Sequence, residues 1–63
     1  MDYSKLLKTI RERKLLSQTD LAKELGVSYA TVNRIENSRH EPTFETRRKI
    51  RDYCVKNRIK EGE

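Results

Sequence analysis

Gly26 is the residue that most constrains this chain, because of what stands on either side of it. Leu21, Ala22 and Leu25 precede it at helical spacing, and Val27, Val32 and Ile35 follow it. A glycine at a helix end takes the left-handed conformation without a Cβ penalty. Two helices that cross at roughly 90–120° through a short turn need a small residue where they come closest. Ala22 supplies that residue. The segment 18–37 therefore reads as two short helices joined by a turn, with the apolar residues filling the angle between them.

The same spacing recurs outside this unit. Tyr3, Leu6, Leu7 and Ile10 fall at i, i+3, i+4 and i+7, one face of a first helix capped by Asp2 or Ser4 and running to about Arg13. Leu15 and Leu16 are expected to anchor the connection that follows. Ser17 with Asp20 three residues on resembles a capping box, although Asp is a weaker partner there than Glu. Ser28 can cap the third helix, which runs to Asn37. Pro42 marks the next break, and Thr43 can cap a fourth helix carrying Phe44, Ile50, Tyr53 and Cys54. The polar tail 56–63 is expected to fray. Nothing alternates with the period of a strand. The expectation is one all-α domain over 1–63, with four helices and Val55 and Ile59 as the only apolar candidates for a fifth.

With 63 residues, 33% of them hydrophobic, the chain can bury one modest core. A catalytic cavity with its supporting shell would need more. No convergent set of nucleophile, base and metal ligands is visible, so neither an enzyme nor a cofactor or metal site is expected. Fifteen Lys and Arg against ten Asp and Glu leave a formal net charge of +5, and the pI is about 9.7. That balance attracts polyanions, nucleic acid foremost among them. Cys54 is the single cysteine, which suits a reducing compartment and a place in the core. No apolar run approaches a membrane span or a signal-peptide core. The expected setting is cytoplasmic and nucleoid-associated, with no membrane partner.

The third helix can be read by angle. With Tyr29 at zero, Asn33 lies at ~40°, Asn37 at ~80°, Ala30 at ~100° and Arg34 at ~140°. Val32 and Ile35 lie opposite, at ~300° and ~240°. One side is core. The other presents an aromatic ring, a methyl, two amides and a guanidinium, with Glu36 off beside the core edge. The major groove of DNA admits such a helix and offers acceptors, donors and thymine methyls. Arg34 suits guanine, Asn33 suits adenine, and Ala30 and Tyr29 suit thymine methyls. Gln18 offers a free backbone N–H at the positive end of a helix dipole, which suits a phosphate. Thr31, Arg39 and His40 are further phosphate candidates.

The run SQTDLAKELGVSYATVNRIEN resembles the phage-repressor family of helix-turn-helix domains, called lambda-repressor-like or XRE-type, and the resemblance extends from about Leu6 to Cys54. It implies an all-α domain of four or five helices that binds double-stranded DNA and regulates transcription, most often as a repressor. Residues matching Gln18, Ser28 and Asn37 touch the DNA backbone in that family, and those matching Tyr29, Ala30 and Arg34 read bases. The family also pairs the position of Glu36 with an arginine at the position of Arg11, a structural ion pair.

Three features depart from the pattern. Ser38 stands where the family usually has glycine, so Asn37 is expected to take the left-handed turn in its place. The fourth helix carries Arg47, Arg48, Lys49 and Arg51, where leucine at 47 and a small apolar residue at 51 are usual. Arg47 can lay its stem along apolar surface, or this face can meet phosphates or an acidic protein partner. The fifth helix, which contributes to dimerisation in many relatives, is not evident, so a homodimer is an expectation without direct support. The rival reading is an antitoxin or a bridging module that uses the same fold to bind protein.

Overall fold

The computed structural model describes residues 2–59. Four helices follow one another: α1 (Tyr3–Lys14), α2 (Gln18–Leu25), α3 (Tyr29–Glu36) and α4 (Phe44–Lys56). The described residues contain no strand. The fold is an all-α helix-turn-helix.

Each helix starts on a side chain that accepts a backbone N–H. Asp2 accepts from Lys5, Ser17 from Asp20, Ser28 from Thr31 and Thr43 from Thr46. Asp20 also accepts from the Ser17 N–H at 3.3 Å, which closes the capping box. Such caps contribute about 0.5–2 kcal/mol each.

Each helix also ends in the same way. A left-handed residue follows the last turn: Leu15 (φ 55°), Gly26 (φ 75°), Ser38 (φ 57°) and Arg58 (φ 57°). The next residue then donates its N–H back across the turn. Leu16 bonds to the Arg11 carbonyl, Val27 to Ala22, Arg39 to Arg34 and Ile59 to Cys54, at 2.8–3.0 Å. These bonds satisfy carbonyls that the helix leaves open.

This chemistry corrects several expectations. Ser38 takes the left-handed turn itself, while Asn37 stays at φ −90°. Leu15 is 90% exposed, because the left-handed residue of a terminal turn points outward. Leu16, one position on, packs against the core. Phe44 is 68% exposed; at the first position of α4 it lies ~120° around the axis from Ile50. Lys56 closes α4, and Ile59 folds back into the core through its turn. The remainder of the expected polar tail, 60–63, lies outside the described residues.

The core joins Leu6, Leu7 and Ile10 of α1, Leu21, Ala22 and Leu25 of α2, Val32 and Ile35 of α3, Ile50, Tyr53 and Cys54 of α4, and Ile59. Both α1 and α2 pack on α3, and α4 closes the core against α2. Where α1, α2 and α4 meet, the Tyr53 hydroxyl donates to Glu24 at 2.6 Å and Lys14 donates to Asn57 at 2.8 Å. The Lys14 ammonium also lies 5.3 Å from the Tyr53 ring centre. Burial, and then the hydrogen bond to Glu24, pushes the Tyr53 phenol above its ordinary pKa of 10.0.

Candidate nucleic-acid interface

The packing of α3 divides its residues into two sets. Val32, Ile35 and Glu36 face inward, while Tyr29, Ala30, Arg34 and Asn37 are exposed. The Arg34 guanidinium has no partner among the described residues. Tyr29 opens the helix at 52% exposure, its start held by the Ser28 cap. Thr31 is half-buried, and its hydroxyl lies 2.8 Å from that of Ser28. Arg39 and His40 are exposed beyond the turn at Ser38.

Behind this face lies a polar network built around one carboxylate. Glu36 is 3% exposed. Arg11 of α1 grips it with two parallel bonds, Nε to Oε2 and Nη2 to Oε1, each 2.7 Å. Bidentate geometry of this kind is the strong form of a charge-assisted hydrogen bond. The hydrogen bond to Glu36 raises the Arg11 pKa above its usual value, against the opposing effect of burial. Ser4 donates to the Glu36 carbonyl at 2.6 Å, so both ends of α1 are tied to the end of α3.

The network continues across the helix-turn-helix. The Gln18 amide nitrogen donates to Glu36 Oε1 at 3.2 Å, and the Gln18 oxygen accepts from Asn33 at 3.2 Å. Asn37 then donates to the Asn33 side-chain oxygen at 3.2 Å and to its carbonyl at 2.9 Å. The first residue of α2 is thereby stapled to two positions on α3. Glu36 dictates which end of the Gln18 amide carries the donor, and this in turn orients Asn33. No buried side-chain polar atom among the described residues is left without a partner.

The structure thus brings Arg11, Gln18, Asn33, Glu36 and Asn37 into one connected set. It leaves Tyr29, Ala30 and Arg34 outside that set and open. Asn33 is half-buried and already bonded through both amide atoms. Each atom keeps one further site, an N–H and a lone pair, which is what an adenine edge requires. Sequence reasoning missed the bridging role of Gln18 and the tie from Ser4. The available signal was that Asn33 and Glu36, three apart, share the α3 face that meets the start of α2.

A family model described as "Helix-turn-helix" matches residues 7–54. The search of curated proteins and the search of solved structures each found no match. The matched span covers α2 and α3, most of α1 and α4 through Cys54, and so includes every core residue described above except Leu6 and Ile59. Over more than half its length, and through the same Ala22–Gly26 turn that shapes the fold, the chain belongs to the lambda-repressor-like helix-turn-helix family, whose members are DNA-binding transcription regulators.

Proposed function

We propose that this chain is a sequence-specific regulator of the repressor type that lays α3 in the major groove of double-stranded DNA. The observation that carries this reading is the exposed, acid-free outer face of α3, with Arg34 unpaired along one edge and a bonded polar network fixing the helix from behind. In this reading Arg34 binds guanine O6 and N7, Asn33 reads adenine, and Tyr29 and Ala30 meet thymine methyls. Gln18, Ser28, Thr31, Asn37 and Arg39 hold phosphates. The domain acts in the cytoplasm, associated with the nucleoid. Two copies on one operator would occupy half-sites about 34 Å apart.

Selection from a randomised duplex library at about 0.15 M salt tests the reading, since phosphate contacts make affinity fall with a log–log slope of about −0.9 per contact. Enrichment of a two-fold symmetric motif is the expected result. Arg34→Ala should cost about 1–3 kcal/mol on the enriched duplex and relax one base position. An equal loss on random duplex would reduce Arg34 to a phosphate contact, and salt-independent binding would remove the mechanism.

A further inference from the structure

The outer face of α4 carries a feature that DNA binding does not use. Phe44, Arg48, Arg51 and Val55 follow one another at intervals of four, three and four residues. That is the spacing of a helix–helix seam, and the four lie within ~60° of one another around the axis. All four are exposed, Phe44 at 68% and Val55 at 71%. The Arg48 guanidinium sits 5.9 Å from the centre of the Phe44 ring. Arg47 flanks the stripe, and Arg47 and Arg51 have no ion-pair partner among the described residues. Tyr3 and Phe44 line a shallow hollow at one end of the stripe, together with these arginines. At the other end Asp52 is the only carboxylate that lines the adjoining hollow.

We propose that this face docks an acidic amphipathic helix of a partner protein. The apolar members select against a nucleic-acid backbone, which would use the guanidinium groups and leave Phe44 and Val55 in water. The arginines select against a second copy of this chain, because pairing two such stripes would set arginine against arginine in the seam, and like charges facing each other at an interface are costly. A helix with carboxylates opposite Arg48 and Arg51, and apolar residues opposite Phe44 and Val55, satisfies both halves of the pattern. Arginine favours this use because its planar fork matches a carboxylate bidentately and is weakly hydrated. This inference concerns a different face from the one that reads DNA and stands without it.

The test is selection of a displayed library of random peptides, about 20 residues long, against the intact protein, followed by affinity measurement on a synthetic copy of an enriched peptide. The variants are Arg48→Gln/Arg51→Gln, Phe44→Ala and Arg34→Ala. Every substituted position is exposed, and thermal melting verifies that each variant folds. The expected result is enrichment of peptides with Asp or Glu interleaved with apolar residues at helical spacing. Binding should weaken at least tenfold in the α4 variants, about 1.4 kcal/mol, and be unchanged in Arg34→Ala. No enrichment, or enriched peptides that bind the α4 variants as well as the parent, overturns the proposal. So does a loss of duplex affinity in Arg48→Gln/Arg51→Gln greater than Arg34→Ala causes, which would assign the face to phosphates. Binding to mixed phosphatidylserine–phosphatidylcholine vesicles that the α4 variants abolish would assign it to a membrane surface instead.

Discussion

Two carboxylates clasp this small fold, and they do so under opposite conditions. Glu36 is sealed behind α3, its side chain 2% exposed, and is gripped by Arg11 and Gln18. Glu24 lies at the rim of the α1–α2–α4 junction, its side chain 40% exposed, and accepts from Tyr53 with Lys14 at 3.9 Å. Each joins three helices. Water decides the difference between them. A buried charge must be fully bonded or it costs several kcal/mol, whereas a rim pair is screened and contributes at most about 1 kcal/mol. The Glu36 clasp therefore positions α3 for any partner it meets, while the Glu24 clasp trims the junction behind it.

Breaking the inner clasp should have the largest effect. Arg11→Ala leaves a buried carboxylate with only the Gln18 amide, and should cost about 3 kcal/mol in urea or thermal unfolding. The comparison sharpens with a paired change. Arg11→Met/Glu36→Leu removes both charges and should recover most of that loss, yet it frees the Gln18 amide and so should still weaken binding to a selected duplex. If the single and double variants are equally unstable, the loss reflects packing rather than the stranded charge. At the outer clasp, Glu24→Gln should change stability by no more than about 1 kcal/mol.

A smaller effect tests whether the clasp or the backbone fixes the end of α3, since Glu36 lies two residues before the left-handed Ser38. Ser38→Gly should stabilise by up to about 1 kcal/mol by relieving the left-handed strain. Gly26→Ala should lose about 1–2 kcal/mol through φ alone, because a Cβ built there meets nothing within 4 Å. A loss at Gly26 far beyond this would mean that the α2–α3 turn has less room than its geometry indicates.

How much of this was legible beforehand follows from which interactions are local. The caps at Ser17, Ser28 and Thr43 and the stop at Gly26 depend on neighbours within four residues, so the residue types announce them. The apolar stripes of α1, α2 and α3 are periodic and equally plain. Leu15, Leu16 and Phe44 were harder, because a leucine or phenylalanine at a helix end says nothing about which side of the turn it will face. Ile59 stands among polar residues and enters the core only because Arg58 turns left-handed. Of the candidate interface, the outer residues of α3 followed from angle, and the family resemblance suggested that Arg11 and Glu36 belong together. The staple from Gln18 to Asn33 and the Tyr53–Glu24 bond depend on how separate helices sit against one another, which no periodicity encodes.

The outer clasp should show itself in pH dependence more than in size. Tyr53→Phe removes one hydroxyl that donates to a partly solvated carboxylate, and should cost about 1 kcal/mol at neutral pH. The folded-state phenol is raised above 10.0, by burial first and by Glu24 second. The unfolded chain therefore loses its proton before the folded protein does. Stability from this group is fully present below about pH 10 and falls as the pH climbs toward the raised value. The pH profile of the parent sums every group that changes charge, so the parent alone does not isolate this one. The decisive quantity is the difference in unfolding free energy between parent and Tyr53→Phe, measured at pH 7, 9 and 11. It should stay constant from 7 to 9 and shrink or reverse by 11, because phenylalanine has no proton to lose. A difference that stays flat to pH 11 would mean the phenol ionises as freely in the fold as in water, so that neither burial nor Glu24 holds its proton.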